Sequence, residues 1–168
     1  MKKLLTLSLV VLLAFSATNC EKDDICDANT MTTPRLIVEF YDADNPTVLQ
    51  NVTNLKIIGE GLAEDFALGT FNNVSKVMLP LKTTDDITQY RFILYSTDTD
   101  LANEDKIQIN YTRDNLFVSR ACGYKTVFDL TGFTYTDPVD PAQLWIRSVT
   151  INQTNINSED ETHVSILF

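Results

Sequence analysis

From residue 35 onward the chain is a succession of short stretches in which apolar and polar positions alternate. "RLIVEFYD" (35–42) sets Leu36, Val38 and Phe40 against Arg35, Ile37, Glu39 and Tyr41. "THVSILF" (162–168) sets Val164, Ile166 and Phe168 against His163, Ser165 and Leu167. A period of two is the mark of a strand with one buried face. Between them lie "NLKIIGEG" (54–61), "SKVMLPL" (75–81), "TQYRFILYS" (88–96), "KIQINYTR" (106–113), "LFVSRAC" (116–122), "KTVFDLTGF" (125–133) and "LWIRSVTIN" (144–152). They are rich in the β-branched and aromatic residues that suit a pleated surface. Turn residues separate them, as at Asn45-Pro46, Asn72-Asn73, Asp85-Asp86 and Asp137-Pro138. With no long helical period, the pattern predicts an all-β fold, an antiparallel immunoglobulin-like β-sandwich of about 7–9 strands.

Asp114-Asn115 reads as a two-residue hairpin turn, because both residue types tolerate positive φ. That register sets Tyr111 opposite Val118, Ile109 opposite Arg120 and Ile107 opposite Cys122. Cys122 is then expected on the core face, and Arg120 among apolar neighbours, where it should snorkel or pair with a carboxylate.

The first residues follow a different rule. Lys2 and Lys3 precede an apolar run from Leu4 to Phe15, and small and polar residues lead to Cys20. This is the layout of an export signal, and the run is short of the roughly 20 residues a membrane span needs. Ser16-Ala17-Thr18-Asn19-Cys20 resembles a bacterial lipobox, although Ala17 and Asn19 depart from its usual residues. The resemblance implies cleavage before Cys20 and acylation of it, and two or more acyl chains give a stable anchor. Lys22-Asp23-Asp24, just after it, is similar to the signal that sends Bacteroidota lipoproteins to the outside of the outer membrane; a plain solvated linker is the alternative. The expected division is a signal over 1–19, a lipidated tether over 20–31 and one β domain over 32–168.

Charge and cysteine content narrow the partners. The chain has net charge −10; without Lys2 and Lys3 it carries 11 basic against 23 acidic residues. Such a surface repels nucleic acid and anionic lipid headgroups, and the expected partners are a membrane, through the lipid on Cys20 alone, and an envelope protein or a glycan. With Cys20 assigned to lipid, Cys26 and Cys122 remain, and an even pair in an exported protein predicts a disulfide. Two cysteines make no zinc site alone, and no cofactor or metal is expected.

Candidate chemistry is sparse. His163, the single histidine, stands on the polar-alternating face of the last strand without a nucleophile to serve, and is expected to be solvated or hydrogen-bonded there. "DTDLANED" (98–105) offers Asp98, Asp100, Asn103 and Asp105 as oxygen ligands but lacks the glycine and glutamate of a calcium loop. Trp145 is the one candidate ligand contact, as a stacking platform for a sugar, but a single Trp at a strand start is more often core or edge packing, which is the favoured reading. Paired carboxylates for glycoside hydrolysis are not singled out among 23 acidic residues. The closing Phe168 also raises a small outer-membrane barrel, whose strands would run longer than these.

"CEKDDIC" (20–26), "TTPRLIVEFYD" (32–42), "RACGYKTVFDL" (120–130) and "WIRSVTI" (145–151) together resemble a family of small Bacteroidota (flavobacterial) lipoproteins, domain of unknown function 6452. The resemblance implies lineage, lipidation and a compact β domain, and brings no catalytic or binding residues. The reading from sequence is a non-enzymatic accessory or binding module at the outer membrane, facing the exterior, with a periplasm-facing orientation as the alternative. Against it stands a glycan-binding or carboxylate-based glycan-hydrolysing lipoprotein.

Overall fold

The structure, a computed structural model, describes residues 25–63 and 67–168. Their strands are β1 (Leu36–Tyr41), β2 (Leu55–Gly59), β3 (Ala67–Phe71), β4 (Lys76–Leu79), β5 (Ile87–Leu94), β6 (Asn103–Ser119), β7 (Gly123–Thr136), β8 (Ser148–Ile151), β9 (Asn155–Ile156) and β10 (Val164–Leu167). They form a four-stranded sheet, β4-β1-β10-β8, and a six-stranded sheet, β3-β2-β5-β6-β7-β9. The two sheets stack as an all-β sandwich. Neither closes on itself, so the membrane-barrel alternative is corrected to a sandwich with open edges.

The alternation seen in the sequence is what fills the space between the sheets. Leu36, Val38 and Phe40 of β1 meet Val164 and Ile166 of β10 and, from the opposite sheet, Ile57, Phe92, Ile107 and Ile109; every one of these is fully buried or nearly so. Pairing is antiparallel except between β1 and β10, which run parallel with Val38 beside Val164 and Phe40 beside Ile166. The last strand thus enters between β1 and β8 and completes the smaller sheet. Phe168, just beyond it, stands edge-on to both Phe40 (6.0 Å) and Trp145 (5.6 Å). Such edge-to-face contacts add to the burial of the rings.

The long central hairpin corrects the expectation at Asp114-Asn115. These residues are strand, not turn: Asp114 pairs with Val127 and Asn115 with Thr126. The Thr126 hydroxyl donates to Asn115 Oδ1 across that pair (2.9 Å). β6 therefore runs on to Ser119, and the chain reverses at Arg120–Cys122. Gly123 takes φ +71°, the left-handed conformation that closes a three-residue hairpin loop, and the Cys122 N–H donates to Ser119 Oγ (3.0 Å). Ile107, Ile109 and Tyr111 consequently face Tyr135, Phe133 and Leu130 rather than the second half of their own run. Arg120 is exposed in the turn and not among apolar neighbours, and Cys122 is half-buried at the hairpin's end rather than in the core.

Candidate functional site

Cys20, Lys22, Asp23 and Asp24 lie outside the described residues. The first feature they lead to is inside them: Cys26 is joined to Cys122 by a disulfide, Cα to Cα 4.9 Å, across a sequence separation of 96. The start of the domain is thereby fixed to the outer turn of the β6–β7 hairpin. From there the chain follows the free edge of β7, where the Thr126 N–H donates to Thr33 Oγ1 (3.0 Å) before β1 begins. A cavity of about 270 Å³ lies between this segment and the hairpin, reaching Met31, Val118 and Tyr124 beside the disulfide.

A larger open groove, about 520 Å³, separates residues 30–35 from residues 158–160. Its charged wall is already occupied. Arg35 grips Glu159 with two parallel bonds, Nε to Oε1 at 2.8 Å and a terminal nitrogen to Oε2 at 2.7 Å, and the Arg35 backbone N–H adds a third at 2.9 Å. The Arg35 hydrogen bonds hold the Glu159 carboxyl below the usual carboxylate range. A carboxylate kept ionised in this way is a poor proton donor, which is the role a glycosidase acid must play.

Trp145 follows the packing reading: it is 7% exposed, its ring packs on Phe168, and its indole N–H donates to the Phe92 carbonyl (3.4 Å). Its position explains this. A short 3-10 turn at Pro141–Gln143, capped by Asp140, delivers Trp145 and Ile146 into the end of the sandwich before β8.

His163 is hydrogen-bonded, but it is buried rather than solvent-facing, 1% exposed. Its ring Nδ1 accepts from the Ile37 N–H (2.9 Å), and the His163 backbone N–H donates to the Ile37 carbonyl (3.1 Å). The ring thus extends the parallel β1–β10 ladder by one rung through its side chain. Accepting at Nδ1 requires the neutral ring, and burial lowers its pKa accordingly.

The 98–105 stretch does not converge on a point. Asp98 Oδ1 accepts from the N–H groups of Asp100 and Leu101, turning the loop, and Asn103 donates to the Gln143 carbonyl. Asp105 points away from solvent altogether. It is fully buried, its Oδ2 accepts from the Ile146 N–H (2.9 Å), and its Oδ1 has no hydrogen-bond partner among the described residues. Burial pushes its pKa up to about 6. The sequence reading placed Asp105 in an acidic loop and not in the core, yet a signal was present: it stands in period-two phase with Ile107, Ile109 and Tyr111, all inward.

Residues 54–168, about two thirds of the chain, match a family described as Family of unknown function (DUF6452). The match takes in Cys122, Trp145 and both sheets from β2 onward, and starts after β1 and Cys26. No curated protein and no solved structure matches the chain.

Proposed function

The chain belongs to DUF6452, a family of unknown function, and we propose that it is a lipid-anchored, non-enzymatic accessory or binding module of the outer membrane in a Bacteroidota cell, presented outward. The observation that carries the reading is the sequence from Cys20 to Cys26. An export signal ends at a cysteine suited to acylation, an acidic tether with one lysine follows, and six residues on the chain is tied to the folded body. A second observation favours a module over an enzyme. The side chains best suited to proton transfer are engaged in the fold: His163 holds Ile37, Asp105 holds Ile146, and Glu159 is clamped by Arg35. Burial of Trp145 speaks against the glycan platform and leaves an envelope protein as the favoured partner.

Fractionation tests the anchor. A Cys20→Ala variant should leave the membrane in a carbonate wash, and a variant that stays bound would refute acylation at this site. Alanine at Lys22, Asp23 and Asp24 should remove accessibility to external protease while the protein stays in membranes. Unchanged accessibility would refute the outward address. Crosslinking in intact cells followed by capture of the lipidated protein should recover a discrete envelope protein; recovery of none would refute the accessory role.

A further inference from the structure

The β6–β7 hairpin outruns the sandwich. Phe117 and Tyr124 pair across it and stack edge-on, with centroids 5.4 Å apart. They stand in the same period-two phase as the inward residues of their strands: Tyr111, Ile109 and Ile107 on β6, and Phe128 and Leu130 on β7. Toward the turn, the row that is buried in the sandwich comes out into the open. Phe117 is 61% exposed and Tyr124 69%, with Met31, across the adjoining cavity, at 56% and Leu116, on the opposite face of the tip, at 45%. An aromatic pair in core phase that no other described residue covers is a surface built to be covered.

Two further observations say what covers it. The first is reach. Cys26 is bonded to Cys122 in the hairpin's turn, and only five residues stand between Cys20 and Cys26. An extended chain spans at most about 3.3–3.6 Å per residue, and the disulfide adds 4.9 Å between Cα atoms, so the turn is held within roughly 25 Å of Cys20. The second is charge. In a chain of net charge −10, the segment 116–125 carries Arg120 and Lys125 and no carboxylate. Exposed aromatics flanked by Arg and Lys are the side-chain set of the membrane–water interface, where the rings take the apolar boundary and the cations the phosphates.

We propose that the β6–β7 hairpin tip, through Phe117 and Tyr124 with Arg120 and Lys125, docks into the phospholipid interface of the membrane that holds the lipid, so that the module stands on its hairpin instead of swinging on a free tether. This rests on the lipid anchor at Cys20. Arg120 and Lys125 supply attraction to anionic headgroups that the rest of the acidic surface lacks. The disulfide contributes by keeping the tip next to the anchor, which raises its effective concentration at the surface.

The test uses the full lipidated protein, purified from membranes and reconstituted into phosphatidylcholine vesicles containing phosphatidylglycerol, with lipids brominated along the acyl chain as quencher. Trp145 is buried, so wild-type emission serves as the internal control. Phe117→Trp, and independently Tyr124→Trp, should lose most of the added emission in brominated vesicles, while wild-type emission stays unchanged. Charge reversal at Arg120 and Lys125 should weaken that quenching. Protein that floats with the vesicles but shows no quenching at either position would overturn the docking and leave the anchor standing. Added emission shielded from aqueous iodide without lipid quenching would assign the tip to a second copy or another protein, and would also overturn it. Protein that fails to float would overturn the anchor, and the docking with it.

Discussion

Cys26 and Cys122 join the first residues of the domain to the outer turn of its longest hairpin, so that β1 through β6 lie inside one covalent loop. The bond closes at the surface, beyond the core, where the tether arrives. Its structural consequence is that a pull on the N-terminus is carried to the centre of the six-stranded sheet through β6 and β7, without having to pass through the edge of β1.

Removing that bond should cost stability more than structure. For a loop of this length the double variant Cys26→Ser/Cys122→Ser is expected to lose about 4–5 kcal/mol in urea unfolding, with the far-ultraviolet spectrum of a β protein retained. A loss below about 1 kcal/mol would mean that the bond adds little to the unfolding balance.

The His163–Ile37 pair makes a prediction with a sign. Its burial holds the His163 pKa below the ordinary value of 6.5. The stability it contributes is therefore full above 6.5 and lost as pH falls through the lowered folded value. His163→Ala leaves the buried Ile37 N–H without its acceptor and should cost about 1–3 kcal/mol at pH 8 by denaturant titration. The variant should also lose the part of the acid sensitivity that lies below pH 6.5.

Asp105 acts in the opposite direction. Its pKa is raised from 3.8 to about 6, so the folded state binds its proton more readily than the unfolded chain does. Stability from this group falls as pH rises between those values and stays low above them. Asp105→Asn keeps an oxygen for the Ile146 N–H and removes the buried charge. Between pH 4 and pH 8 its stability relative to the wild type should improve by on the order of 2 kcal/mol. No pH-dependent change in that difference would show that the carboxylate is not destabilised in the fold.

Trp145, the one tryptophan, reports on the sandwich end directly. Its emission should be blue-shifted and poorly quenched by iodide in the native state, and red-shifted on unfolding. Trp145→Ala should cost about 3–5 kcal/mol, as large-to-small core changes do. Ready iodide quenching of the folded protein would place the ring in solvent and restore the sugar platform.

Most of the fold was legible because burial on one face imposes a period of two, and Leu36, Val38 and Phe40 or Val164 and Ile166 display it without interruption. The disulfide was legible from cysteine parity. What escaped depended on partners far away in sequence. Asp114 and Asn115 have turn chemistry, yet they are held as strand by Val127 and Thr126, and the true reversal was set by Gly123 and Ser119. β3 and β9 were missed, the latter because two residues are too few to show a period. The described residues form ten strands beside the expected about seven to nine, as the gain of these two short strands is partly offset by the fusion of two runs into β6. His163 was expected at the surface because its neighbours alternate that way; the ladder to Ile37 draws it inside. Phe117 looked like an ordinary strand residue and Tyr124 fell between two expected strands; the length of the hairpin against the opposing sheet exposes both.

The central claim, a β-sandwich held to the membrane by an acylated Cys20 next to its disulfide, is tested most directly by the mass of the N-terminal peptide of the protein purified from envelopes. The account predicts a peptide that begins at Cys20 and carries a diacylglycerol on sulfur with a further acyl chain on its amino group. A mature chain that begins elsewhere, or one that begins at an unmodified Cys20, would contradict it.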